Sequence, residues 1–143
     1  FIGFGWGVPV QIDPDHYKNR RAGELIVSLA GVTANLLIAV AFSFVCKGLE
    51  MTNIANSGLG SIIYEMIIYI VYINLVLMIF NLIPIPPLDG FGVITQIFRL
   101  DRYEWWYTVY HYGYYILLIA IILDIPTLFI SPGVNFFLNL LLG

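Results

Sequence analysis

The sequence predicts an all-α membrane protein with about three transmembrane helices, and three observations lead to that fold class. Of the 143 residues, 60% are hydrophobic and only 10% are charged, whereas soluble domains carry about 25% charged residues. Three uncharged runs each reach the roughly 18 apolar residues that a helix needs to cross a bilayer. These runs are Leu25 to Cys46, Met66 to Leu88 and Trp105 to Leu123. A soluble protein of this length would lack the polar surface to cover three such helices.

Charge and cysteine content exclude several classes of function. The net charge is −3 and no run rich in Lys and Arg is present to bind a phosphate backbone, so no nucleic-acid partner is expected. The single cysteine, Cys46, excludes an internal disulfide and an all-thiolate metal site. Because the chain begins with Phe1 rather than Met, we interpret it as part of a longer protein.

The chain is expected to form a single membrane domain, residues 1–143, that begins with a loop and one span. Residues 1–22 are rich in glycine and then polar, a composition that disfavours a regular helix and is typical of an interfacial loop. The first span is predicted over 23–46. Small side chains in its first half would let another helix approach closely in lipid.

The second span, predicted over 61–98, is expected to be broken at 81–90, where the sequence is NLIPIPPLDG. Three prolines within four residues remove backbone donors and push the residues before them toward extended geometry, so a continuous helix cannot form. Irregular backbone at membrane depth is tolerated only where protein or a water-filled cavity surrounds it. The segment therefore predicts a polar cavity inside the bundle, and helix is expected to resume from Phe91 to Phe98.

The last third of the chain is predicted to hold an aromatic belt, a third span and a tail. Tyrosine and tryptophan are typical of the membrane–water boundary, and they cluster just before the third apolar run, so belt and span together occupy 103–130. A break is expected at Ser131-Pro132-Gly133. Residues 131–143 are predicted to form an interfacial tail with a short helix.

The basic residues predict how the protein is oriented in the cell membrane. Two crossings separate the two basic groups, so both groups fall on one side, and the positive-inside rule makes that side cytoplasmic. These residues are Lys18, Arg20, Arg21, Arg99 and Arg102, whereas Lys47 lies opposite.

Asp89 is the residue most indicative of function. A carboxylate near membrane depth costs roughly 2.5 kcal/mol or more on insertion scales, and such residues are usually functional. A bound metal ion would keep the Asp89 carboxylate charged and paired. Alternatively, Asp89 caps the helix that starts near Phe91 by accepting hydrogen bonds from backbone N–H groups. Position alone leaves both interpretations open.

The proline-rich segment resembles the N-P-D-G signature of the site-2 protease family of intramembrane zinc metalloproteases. The signature positions are occupied by Asn81, Pro84, Asp89 and Gly90. Two further stretches are similar to family motifs in order and spacing. FGWGVPV at 4–10 resembles a Gly-Trp/Pro-Val loop, and AGVTAN at 30–35 resembles an A-G-P-x-A-N motif in which Val32 replaces the usual proline. The resemblance covers residues 1 to about 100.

The resemblance implies a catalytic zinc ion (Zn2+) with Asp89 as its third protein ligand. In the family the other two ligands are histidines of an H-E-x-x-H helix, whose glutamate is the general base, and a water occupies the fourth position. Asn81 corresponds to a family asparagine expected to hold the substrate or the oxyanion. The backbone that follows is expected to pair with an unwound substrate segment. The implied substrate-binding residues are Asn81, Leu82, Ile83, Pro84, Ile85, Pro86, Pro87 and Leu88.

H-E-x-x-H does not occur in this sequence, whose only histidines are His16 and His111. In the family that helix lies upstream, so the zinc histidines are expected outside this fragment, which alone should hydrolyse nothing. The predicted function is the C-terminal portion of a zinc metalloendopeptidase that cleaves transmembrane protein substrates near the cytoplasmic face. The alternative is a non-catalytic membrane scaffold or transport component that has lost the metal site, since broken helices with proline also mark transporters.

Overall fold

The computed structural model describes residues 20–52 and 58–143, except for the side chains of Arg20, Arg21 and Glu24, and within these ranges the chain is helical without any strand. A 3-10 turn at Leu100–Arg102 links the third and fourth helices. The helices are α1 (Arg20–Met51), α2 (Gly58–Leu82), α3 (Asp89–Phe98), α4 (Glu104–His111), α5 (Gly113–Ile122) and α6 (Ile125–Leu141). Most of the predicted interfacial loop, residues 1–19 with Lys18, lies outside the described residues.

Two helices of the described chain are long and apolar enough to cross a membrane. They cover Leu25–Met51 within α1 and Gly58–Leu82, the whole of α2. The helices α5 and α6 pass the same test only as a pair, and they are bent by 73° at their junction. The two spans, or three if the bent pair is one span, confirm the predicted all-α membrane fold.

The helices α1 and α2 form an antiparallel pair. The Tyr64 hydroxyl near the start of α2 donates a hydrogen bond to the Glu50 carboxylate near the end of α1. Gly31, closer to the start of α1, instead lies beside Asp89, beyond the end of α2. Buried side chains from α1, α2 and α6 make the core: Val32, Ala39, Val71, Leu75, Met78, Ile79 and Val134. Because lipid is as apolar as these side chains, close packing holds such helices together in a bilayer.

The predicted break at Ser131-Pro132-Gly133 is wrong, because α6 continues through it with Pro132 inside the helix. Residues 131–143 are therefore not a separate interfacial helix. Proline is tolerated in membrane helices where neighbouring groups compensate for the missing bond, and this turn packs on α2. Gly133 faces Ile79, whose Cδ1 atom would lie 2.7 Å from a Cβ added to the glycine.

The chain turns earlier than predicted, between α5 and α6. Asp124 adopts a left-handed backbone conformation with a φ of 56°, and its carboxylate accepts a 2.5 Å hydrogen bond from the Thr127 hydroxyl. Pro126 follows in the first turn of α6, where the missing N–H group has no helical partner to lose. The predicted belt and third span, residues 103–130, thus correspond to α4, α5 and the beginning of α6.

Candidate metal and substrate site

The segment between α2 and α3 is a series of turns rather than an extended strand. The backbone N–H groups of Ile83, Ile85 and Leu88 donate to the carbonyls of Phe80, Ile83 and Ile85 at 3.1, 2.8 and 2.9 Å. The other positions from 84 to 87 are prolines, which have no N–H group. Every amide donor in residues 83–88 is therefore either absent or used locally. The expected pairing with a substrate strand cannot use these donors. A substrate can bind to this segment only through the carbonyl oxygens and side chains of residues 83–88.

The side chains of this segment differ in their exposure. Ile83 and Pro86 are buried in the bundle, while Asn81, Ile85 and Leu88 are half-buried. The exposed side chains, which are the ones most open to a binding partner, are Leu82, Pro84 and Pro87. Of the predicted substrate-binding residues, Ile83 and Pro86 are therefore inaccessible to a substrate, whereas Leu82, Pro84 and Pro87 are accessible.

Gly90 lies directly against the end of α2, and no larger residue fits there. A Cβ atom added to Gly90 would stand 2.2 Å from the carbonyl oxygen of Leu82 and 2.7 Å from that of Ile83. Real Cβ contacts essentially never fall below 3.0 Å. The absence of a side chain thus lets the first turn of α3 rest on the last carbonyls of α2, which fixes the backbone beside Asp89.

Asp89 is the first residue of α3, and its half-buried carboxylate faces α1. Leu88 occupies the N-cap position and no side chain caps this helix, so the capping interpretation of Asp89 does not hold. A Cβ added to Gly31 of α1 would stand 3.5 Å from the Asp89 Oδ2 atom. Among the described residues, the Asp89 carboxylate makes no hydrogen bond or ion pair. The AGVTAN and LDG stretches, at 30–35 and 88–90 in the sequence, therefore lie side by side where the Asp89 carboxylate has no described partner.

A cavity of about 750 Å³ opens beside Asp89, between α1, α3, the 3-10 turn and α4. Its charged lining groups are the carboxylates of Asp89 and Asp101, and no Lys, Arg or His side chain of the described residues lines it. Ser28, Thr95 and Gln96 add polar groups to the wall. This is the position at which the proline-rich sequence predicts a polar cavity.

Aromatic side chains of α4 form the wall opposite α1. The Trp106 indole Nε1 donates a 3.0 Å hydrogen bond to the buried Thr95 hydroxyl of α3. The same indole stacks on Phe91 and Tyr110, with ring centroids 6.4 and 5.0 Å apart. One face of the predicted aromatic belt therefore packs on α3 and shapes the cavity.

One described residue, Asp89, is a candidate metal ligand. No group of three His, Cys, Asp or Glu side chains within 20–52 and 58–143 is placed to hold a metal ion. An unpartnered carboxylate that faces a cavity suits zinc, because Asp oxygens are common zinc ligands. Asp89 thus fits as one member of a ligand set that other residues must complete. His111 is exposed on α4 and does not line the Asp89 cavity, and His16 lies outside the described residues.

Three features of this site were not predicted. As a small residue in the first span, Gly31 indicates close helix packing, but the sequence does not indicate that it lies beside Asp89. Trp106 belongs to the predicted aromatic belt at the membrane boundary, but its indole donates a hydrogen bond to Thr95 instead. Asp101 carried no signal at all, because it stands among charged residues at a helix end.

Comparison with known proteins gives a family match over most of the chain. The family model described as Peptidase family M50 matches residues 2–123. A curated protein of Bacillus subtilis (strain 168), described as "Putative zinc metalloprotease YwhC", is 29% identical over 138 residues. That alignment covers 93% of this chain but 61% of the relative, so the chain spans less than two thirds of the relative's length. No solved structure matches the chain.

Proposed function

The chain belongs to Peptidase family M50, the site-2 protease family, and from this premise we propose that it is the C-terminal part of an intramembrane zinc metalloprotease. The complete enzyme hydrolyses peptide bonds of transmembrane protein substrates near the cytoplasmic face. The observation that carries this proposal is the Asp89 carboxylate, which is half-buried, unpartnered among the described residues and open to a cavity beside the candidate span α1. A charge in that setting is costly unless a cation is bound to it.

In this proposal Asp89 is one of three protein ligands of zinc, and two histidines outside residues 1–143 are the others. When bound in such a site, zinc polarises the scissile carbonyl and lowers the pKa of a bound water to about 7. The other contribution of this chain is to fix the position of the Asp89 carboxylate. Gly90 seats the ligand's helix on the end of α2, and Gly31 leaves room for the Asp89 oxygen next to α1.

Asn81 and the residues after it are proposed to bind the substrate. Asn81 lies in the last turn of α2, half-buried, at the start of the proline-rich segment that leads to Asp89. An amide N–H donor there would stabilise an oxyanion as charge develops on the carbonyl oxygen. The exposed side chains of Leu82, Pro84 and Pro87 would meet apolar residues of a substrate that has left its own helix.

The proposed orientation places Lys18, Arg20, Arg21, Arg99 and Arg102 in the cytoplasm. Support comes from the antiparallel pair, because α1 begins at Arg20 and α3 ends just before Arg99, and these two helices pack together beyond the end of α2. Asp89 lies near the same end of the bundle. Cleavage is therefore proposed near the cytoplasmic boundary of the substrate span.

The test measures zinc content and substrate cleavage for the full-length protein purified in detergent. Asp89→Asn is expected to lose bound zinc and cleavage together, because the amide oxygen is a much weaker ligand than the carboxylate. Asp124→Asn is the matched control, since it makes the same chemical change at an exposed carboxylate between α5 and α6 and should keep both properties. An Asp89→Asn protein that still binds zinc and cleaves would reject the assignment. A wild-type protein that binds no zinc and cleaves nothing would favour the scaffold alternative.

A further inference from the structure

The cavity beside Asp89 has a second carboxylate that the metal site does not use. We infer that it receives a cationic side chain, Lys or Arg, of the peptide substrate, which the Asp101 carboxylate and the aromatic rings of α4 hold. The inference rests on the proposed proteolytic function and adds a substrate preference to it. Three observations support it: the charge of the lining, the geometry of the rings and the position of the cavity.

The charge of the lining favours a cation. Asp101 is half-buried in the 3-10 turn and lines the cavity. Its neighbours Arg99 and Arg102 are exposed, do not line the cavity and form no ion pair with it. With Asp89 assigned to zinc, the negative charge of Asp101 stays uncompensated among the described residues. A cation that reaches Asp101 would therefore be attracted by this carboxylate, whereas an acidic side chain would be repelled by it.

The rings beside Asp101 suit the same ligand. Trp106, Tyr107 and Tyr110 all line the cavity. The bond to Thr95 holds the Trp106 indole in place, and Tyr110 stacks on it with centroids 5.0 Å apart. Tyr107 and the indole are nearly perpendicular, with ring centroids 5.1 Å apart. Because Phe91 and Tyr110 stack on the indole, the exposed rings of Tyr107 and Tyr110 are the ones open to a cation. Ammonium and guanidinium groups bind to aromatic faces within about 6 Å of the ring centroid. A carboxylate and aromatic rings that line the same cavity together suit a cation.

The position of the cavity fits the chemistry of a membrane-spanning substrate. Transmembrane segments carry an excess of Lys and Arg on their cytoplasmic flank. The cavity extends from Asp89 to Asp101, so one unwound substrate can place its scissile bond near Asp89 and a flanking basic residue near Asp101. The apolar part of that substrate would lie toward the exposed side chains of Leu82 and Pro84.

The test compares two matched substrates with the full-length, zinc-loaded protein. Each is a single-span peptide with one variable residue on the cytoplasmic flank, Lys in one and Gln in the other, and the variable residue is moved through several flank positions. At one position the Lys substrate is expected to have a KM about fivefold lower, equivalent to about 1 kcal/mol. In Asp101→Asn that advantage should disappear, and in Asp101→Lys a Glu substrate should become preferred over the Lys substrate.

Glu104→Gln is the matched control, because Glu104 is an exposed carboxylate three residues further along that does not line the cavity. This variant should keep the Lys preference. If the wild-type protein cleaves the Lys and Gln substrates with equal KM at every position, or if Asp101→Lys leaves the preference unchanged, the cationic subsite is refuted while the protease assignment stands. If no substrate is cleaved and Asp89→Asn retains zinc, the proposed protease function is rejected, and the cationic subsite that depends on it is rejected as well.

Discussion

Substituting Gly90 by alanine tests whether the contact between α3 and the end of α2 positions the proposed zinc ligand, Asp89. The new Cβ atom would stand 2.2 Å from the Leu82 carbonyl oxygen and 2.4 Å from its carbon. Both are backbone atoms of a helix end, so no side chain can rotate away. For the new Cβ atom to lie about 3.0 Å from the Leu82 oxygen, the start of α3 and the end of α2 must separate by about 0.8 Å. Such overpacking typically costs about 1–3 kcal/mol.

The displacement matters because Asp89 is adjacent to Gly90. Metal ligands must lie within about 0.2 Å of their ideal distances, so a shift several times larger should weaken zinc binding. We expect Gly90→Ala to lower the zinc affinity about 10–100-fold, the range found when groups that orient a ligand are altered. The assay is titration of the full-length protein with a competing zinc chelator, combined with cleavage at saturating zinc.

Gly48→Ala is the matched control for this experiment. Gly48 lies in α1, and a Cβ added there meets nothing within 4 Å. Alanine should therefore be neutral at this position, or stabilising by roughly 0.5–1 kcal/mol, because glycine lowers helix stability. Gly90→Ala with the same zinc affinity and cleavage rate as Gly48→Ala would refute the positioning role of Gly90.

Three further outcomes are expected. Trp106→Phe removes the hydrogen bond to Thr95 but keeps an aromatic ring, so the free energy of unfolding in detergent should fall by about 1 kcal/mol; an unchanged denaturation midpoint would contradict the role of that bond. Gly31→Ala should retain zinc, since its Cβ would only touch the Asp89 Oδ2 atom at 3.5 Å, whereas Gly31→Leu should lose it; equal zinc affinity in both variants would show that the space beside Asp89 is not limiting. Asp124→Val should destabilise the junction of α5 and α6 by about 1 kcal/mol or more, because a β-branched residue is strained at positive φ, and proteolysis at the junction no faster than in wild type would argue against this.

The sequence was informative wherever a residue's effect is local. Proline removes a donor whatever surrounds it, so the prolines from Pro84 to Pro87 predict the loss of helix that the structure contains between Leu82 and Asp89. Hydrophobic run length likewise predicts α1 and α2, because bilayer thickness sets the length of a span.

Predictions failed where packing outweighs local preference. Pro132 breaks an isolated helix, but in α6 the turn that contains it is supported by contact with α2. The turn at Asp124 did have a local signal, since an Asp followed two residues later by proline is typical of a helix start, yet the length of the apolar run concealed it. The environment of Trp106 could not be predicted, because its partner Thr95 is defined only once α4 folds back on α3.

The lack of free amide donors between residues 83 and 88 has a consequence for selectivity. A helical polypeptide uses its own N–H groups internally and has nothing to offer a surface that can only accept hydrogen bonds. A chain that has frayed exposes those groups, and in a low-dielectric surrounding each exposed group gains from finding an acceptor. Residues 83–88 therefore distinguish a frayed polypeptide from a helical one by its free N–H groups and not by its side chains. Helix-weakening residues such as glycine or asparagine in a bound span should therefore increase its capture more than any change of apolar side chain.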